Sequence, residues 1–242
     1  MRLPQALASK RRADCAPPLI ADVRRQFCCK ATLVRTLAWA GILAPLLRLG
    51  LIGVLGALHP SYSQSRNFIS ELGAPDAPYA ALMNLGGIAT VGALLLLFTL
   101  PLSRSQPRGP LRTLGCLLLG ISGIAFIAVG LLPCDQPGCA ISSPSRTMQA
   151  HLLAGLIAMT TQSFAALAFG IRLLSGTGSR WYAGASLAFG CVAVLALATL
   201  FGSGLGLPMA GLAQKIMQVS ADMWVLLSAI FVLRSSRRAT HN

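Results

Sequence analysis

Acidic side chains are nearly missing from this chain: six Asp and Glu stand against 20 Lys and Arg in 242 residues, and only three His are present. Charged residues of both signs make up 11% of the sequence, where a soluble globular domain carries about 25%. That density cannot cover a water-facing surface, so an ordinary soluble domain is excluded. The seven cysteines form no zinc-ligand spacing. Cys116 and Cys191 lie inside apolar runs, and Cys28 and Cys29 lie in a basic segment. The chain has no Gly-x-Ser-x-Gly elbow, no phosphate-binding glycine loop and no His-Glu-x-x-His helix. Haem is disfavoured too, because His59 and His151 fall near one surface and no other His lies within a span. No cofactor is expected. The first 35 residues also lack the basic, apolar and small-residue layout of a cleavable leader.

What the chain has instead is apolar length. Hydrophobic residues reach 55%, with a mean hydropathy of +0.68. They gather into six runs, at about 36–58, 79–102, 111–132, 149–174, 181–201 and 214–233. Each is long enough to cross a hydrocarbon core of about 30 Å as a helix. Lipid offers the backbone no hydrogen-bond partner, so the spans must be helical. The expected fold class is all-α: a polytopic integral membrane protein built as a six-helix bundle, with residues 36–233 as the membrane domain and basic tails at 1–35 and 234–242.

The net charge of +14 would point to nucleic acid in a soluble protein. Here the cations sort by loop. Sixteen Lys and Arg lie in 1–35, 103–112, 172–180 and 234–242, against Arg66, Arg146 and Lys215 on the opposite side, with Arg48 inside a span. The positive-inside rule then puts both termini in the cytoplasm. The partner is the lipid bilayer, and no nucleic acid is expected. Residues 19–34 space Leu19, Val23, Phe27, Ala31 and Val34 helically among cations, which reads either as a helix on the inner leaflet or as an unstructured leader. Trp39 and Trp181 fall at cytoplasmic ends as interface anchors. Gly50, Gly53 and Gly56, with Gly86, Gly87, Gly120 and Gly123, predict close helix approach.

The unusual stretch is polar. From His59 to Pro75 the sequence reads His-Pro-Ser-Tyr-Ser-Gln-Ser-Arg-Asn-Phe-Ile-Ser-Glu-Leu-Gly-Ala-Pro, followed by Asp76, wedged between two apolar runs. It is expected to cap the outer end of the bundle. Two further outer loops are expected beside it: 133–148, leading into His151, and the glycine-rich 202–211. Cys134 and Cys139, separated by a Pro137-Gly138 turn on the oxidising side, predict a disulfide that fixes the loop before His151. Candidate outer-site residues are His59, Arg66, Ser70, Glu71, Asp135 and His151, and Glu71 is expected to be buried against Arg66 or His151.

Polar residues also run down into the spans. Gln214, Gln218 and Asp222 are four apart on one face of the sixth, and Gln162 lies in the fourth. Arg48 sits about 15 Å below Leu58, and Asp222 about 12 Å below Gln214, at the helical rise. Lone charges at that depth are costly, so Arg48 and Asp222 are expected to pair, the alternative being separate satisfaction by water or carbonyls. Two His and a carboxylate could in principle hold zinc. The spacing of His59, Glu71, Asp135, His151 and Asp222 gives no support for that, and a hydrogen-bonded network holding loops together is the stronger reading.

The run Arg66-Asn-Phe-Ile-Ser-Glu-Leu-Gly-Ala-Pro75, with Leu82-Met-Asn84, resembles the hallmark of the bacterial and archaeal membrane proteins grouped as domain of unknown function 998. In that family an Ile-Ser-Glu-Leu-Gly element follows the first of six helices, an Asp ends the third and a His opens the fourth. Here these would be Asp135 and His151. Members often carry an acidic residue where Asn67 stands. The resemblance covers about 36–233 and implies a fold, and a place in a bacterial cytoplasmic (inner) membrane, without an established activity. Three classes stay open: binding or sensing of a lipid headgroup or small polar molecule, a proton-coupled carrier using Arg48 and Asp222, and a membrane hydrolase, with or without a metal.

Overall fold

The computed structural model describes residues 32–139, 144–174, 179–202 and 209–238. Among them no strand occurs, and six helices are long and apolar enough to cross a membrane: α1 Thr32–Leu58, α2 Leu82–Ser105, α3 Pro110–Leu131, α4 Arg146–Leu174, α5 Arg180–Gly202 and α6 Ala210–Ser236. The chain is therefore an all-helical, multi-pass membrane protein. Helix ends depart from the apolar runs where polar side chains extend them. α4 begins before Gln149 because Ser145 Oγ accepts the Met148 N–H at 3.0 Å, a cap bond. α2 starts late, and its first eight residues, Leu82–Ala89, form a π-helix closed by the Thr90 N–H on Leu85 O. The expected interfacial helix over 19–34 lies outside the described residues, except that 32–34 belong to α1. Of the glycine-rich loop, residues 203–208 also lie outside them.

Successive helices pack side by side, and α6 additionally meets α1, α2 and α4. In its most apolar window α6 is 56% buried against 33–50% for the others, which makes it the central helix. That position explains where the intramembrane polar residues sit, since only a helix walled by protein can keep them off lipid. Tyr182 of α5 bonds Ser228 of α6 at 2.6 Å and stacks on Phe231, with ring centroids 4.5 Å apart. Leu117, Leu153 and Leu195 face outward, as a lipid-covered surface requires. Trp39 and Trp181 are half exposed at the same end of the bundle.

Close helix approach occurs, but not at Gly50 or Gly53 of α1. A Cβ on Gly50 or Gly53 would meet nothing within 4 Å, so these two face open space, a correction to the packing role expected of them. The tight crossing joins α2 and α3, where a Cβ on Gly123 would lie 2.7 Å from Gly92 O and one on Gly92 would lie 2.7 Å from Ile127 N. Neither backbone can yield without moving a helix. Gly123→Ala is therefore expected to cost about 1–3 kcal/mol through overpacking, seen as a lower midpoint of thermal unfolding in detergent. Gly53→Ala, in contrast, should be neutral or gain up to about 1 kcal/mol from helix propensity.

Candidate functional site

The polar stretch after α1 folds into a cap because its side chains satisfy its own backbone. Tyr62 donates its hydroxyl to Phe68 O at 3.2 Å, and the Ser63 N–H bonds Asn67 Oδ1 at 2.8 Å. A 3₁₀ turn, Ile69–Gly73, follows. Glu71, its third residue, accepts the Phe68 N–H at 2.6 Å and the Asn67 amide at 2.5 Å, a capping arrangement that places its negative charge at the start of the turn. Glu71 is half-buried and, among the described residues, bonds neither Arg66 nor His151. The contact expected for it is thus corrected: Asn67, four residues earlier, takes the place of a distant cation. Burial and the Glu71 charge push the Tyr62 phenol above its ordinary range.

The cap is stitched to the start of α6. Gly211 and Leu212 donate their N–H groups to Arg66 O and Ser65 O at 3.2 and 2.8 Å. Ile69 N–H bonds Gln214 Oε1 at 2.7 Å, and Lys215 Nζ bonds Asn67 O at 2.7 Å while lying 5.0 Å from the Tyr62 ring centroid. A Cβ on Gly211 would collide with Asn67 O, so only glycine lets the two backbones approach there. Elsewhere Gln64 donates to Ile52 O at 3.2 Å, and Asn84 donates to Gly73 O at 2.8 Å.

The second loop joins the same end. Cys134 and Cys139 are disulfide-bonded, and the Gly138 N–H between them bonds Asp76 at 3.1 Å. Asp135 accepts the hydroxyl of Ser145, the residue that caps α4, so this carboxylate orients a helix cap. His151 donates Nδ1–H to Leu132 O at 2.8 Å, which leaves Nε2 as the acceptor nitrogen, 3.7 Å from the Cys134 sulfur.

Beneath the cap lies a cavity of about 300 Å³. Its walls are mostly apolar, with Phe68, Met148, Leu156 and Met159 among them, and with Ser70, His151, Gln214 and Gln218 as polar points. Arg48 reaches it from α1 and is only 3% exposed. Arg48 Nε is 3.5 Å from Asp222 Oδ2, and its guanidinium carbon stands 4.1 Å over the Phe126 ring. Asp222 Oδ1 accepts amide N–H groups from Gln162 and Gln218, each at 3.2 Å. Among the described residues, neither the three guanidinium nitrogens nor Asp222 Oδ2 makes a hydrogen bond, so the two side chains meet as an ion pair alone. A buried charged donor without an acceptor is costly.

Of the residues singled out from the sequence, the fold brings Ser70, His151, Arg48 and Gln218 to one cavity, with Asp222 and Gln162 directly behind them. It does not bring His59, Arg66, Glu71 or Asp135 there; His59 pairs with Ser61 at 3.3 Å, and the Arg66 side chain is exposed. Gln214 and Lys215 fasten the cap; the four-residue register of Gln214 with Gln218 and Asp222 was the signal that marked Gln214. Phe126, in an unbroken apolar run, gave no signal. Among the described residues, no three His, Cys, Asp or Glu side chains form a group that could hold a metal ion.

No curated protein and no solved structure matches the chain. A family model does, over residues 42–230, and that interval holds α2 to α5 whole, most of α1 and α6, the cap and the residues that line the cavity. The chain belongs to the family described as protein of unknown function (DUF998).

Proposed function

We propose that this protein binds an amphipathic, lipid-like molecule, with its polar group under the cap beside Arg48 and Gln218 and its apolar part along α4. One observation carries this reading: a mostly apolar cavity under the polar cap reaches the buried Arg48–Asp222 pair, whose guanidinium makes no hydrogen bond among the described residues. Binding sites for small molecules have this make-up, apolar walls with a few convergent polar groups. The distribution of Lys and Arg supports an orientation with both termini in the cytoplasm, so the cap and cavity face outward. A hydrolase would need an activated nucleophile, whereas His151 presents Nε2 to a disulfide sulfur and not to a serine.

Photolabelling tests the proposal. Purified protein in nanodiscs containing a diazirine-bearing phospholipid is expected to label preferentially within 148–159. Gly155 lines the cavity, and a Cβ on it would meet nothing within 4 Å. Gly155→Trp should therefore fill the space and cut that labelling at least about tenfold, with the protein still monodisperse. Labelling spread evenly over the outer faces and unchanged by Gly155→Trp would sink the idea.

A further inference from the structure

We infer that the cavity is entered sideways from the bilayer: a gap between α4 and the Gly202 end of α5 admits the polar end of a membrane lipid, whose acyl chain stays outside among the lipids of that leaflet. The inference rests on the binding role proposed above and adds the class of ligand, a long-chain bilayer lipid bound polar end first. Three sides of the cavity are closed. Above it, Phe68, Ile69 and Ser70 belong to the cap, which is bonded to α6 through Ile69 and Gln214, Arg66 and Gly211, and Ser65 and Leu212. Towards the second loop stand Cys139 and Met148, both buried, one held by the disulfide and the other by the Ser145 cap bond. At the bottom lie Arg48, Met83 and Phe126, again buried.

The fourth side is open. Among the described residues that line the cavity, four are exposed: Leu152 (40%), Leu153 (60%) and Leu156 (39%) of α4, and Phe201 (40%) of α5. Gly155, one residue before Leu156, adds no side chain to the passage. Leu156 lies about 15 Å below the start of α4 at the helical rise, which sets the opening level with acyl chains and not with water. All four exposed residues are apolar, so this rim offers a solute from water no hydrogen bond. Size then decides what part of the ligand is inside. The cavity, about 300 Å³, is at the lower end of the range of about 300–1,000 Å³ for pockets that enclose a drug-sized molecule. An acyl chain alone extends through half the hydrocarbon core, about 15 Å. The polar group and first carbons therefore fill the cavity, beside Ser70 and Gln218, and the rest of the chain leaves past Leu153 and Phe201.

The test compares two forms of one probe in nanodiscs of the intact protein: phosphatidylethanolamine with a diazirine either beside the ester carbonyl or at the methyl end of an acyl chain. Labelled residues are mapped by mass spectrometry, and the signal counted is the part lost in Gly155→Trp. Leu156→Trp, at an exposed position, is a second plug and should give the same loss. The carbonyl-side form is expected to label 148–159 and Phe201 at least about tenfold more than the methyl-end form. Label from the methyl end should fall further along the lipid face of α4, towards Phe164, which is exposed. Equal labelling of 148–159 by the two forms, or stronger labelling by the methyl-end form, overturns sideways entry by the polar end while leaving the cavity a binding site. Labelling by both forms that neither plug reduces overturns the binding role as well.

Discussion

Asp222→Asn and Arg48→Met, made singly, are expected to abolish most of the folded protein recovered from membranes, and the double variant is expected to restore it. Arg48 and Asp222 are both buried, and they face each other at 3.5 Å from α1 and α6. Removing one member leaves an uncompensated charge in the bundle, at a cost of about 3–5 kcal/mol. That is a large part of the 5–15 kcal/mol that holds a typical domain together. Replacing both removes the charges and their desolvation at once. Asn at 222 keeps an oxygen for Gln162 and Gln218, whose amides now bond Asp222 Oδ1. Monodisperse yield by size exclusion in detergent measures the effect. If Asp222→Asn alone leaves yield and thermal midpoint unchanged while Arg48→Met destroys them, the two residues do not act as a pair.

Glu71→Ala should release the cap without unfolding the bundle. Its carboxylate is the acceptor for both the Phe68 N–H and the Asn67 amide, and Asn67 in turn holds Ser63 N–H and, through its carbonyl, Lys215. Charge-assisted bonds of this kind contribute about 1.5–3 kcal/mol. Losing that much locally raises hydrogen exchange of the 63–74 amides by about tenfold or more, while exchange in α2 to α5 stays as it was. Glu71→Gln keeps an acceptor for Phe68 and should fall between the two. An unchanged exchange pattern in Glu71→Ala would show that the cap is held by its contacts with α6 alone.

The spans were legible because lipid imposes one rule on every backbone, and six apolar runs announce it. Their ends were less so, since Ser145 caps α4 and carries it back over Arg146, Thr147 and Met148, ahead of the apolar run. Depth along a helix can be counted, which is why Arg48 and Asp222 could be set at similar levels before the fold was known. Rotation about the helix axis cannot be counted so well. Gly50 and Gly53 looked like packing glycines but face outward, while Gly92 and Gly123 make the close crossing. The polar cluster misled in a different way. His59, Arg66, Glu71 and Asp135 are close in sequence to Ser70 or His151, yet each is used to shape or border a loop, because a short cap must satisfy its own backbone before it can present anything to a ligand. The cavity itself is formed by apolar residues from separate helices, such as Phe126, Met148 and Met159, whose identities say only that they are core.

The most direct measurement is a high-resolution structure of the protein extracted with its native lipids and held in a nanodisc. Elongated density should occupy the cavity along α4, with its polar end under the cap beside Gln218 and Arg48. A cavity filled only by ordered water, or a guanidinium turned to a protein carbonyl, would contradict the account.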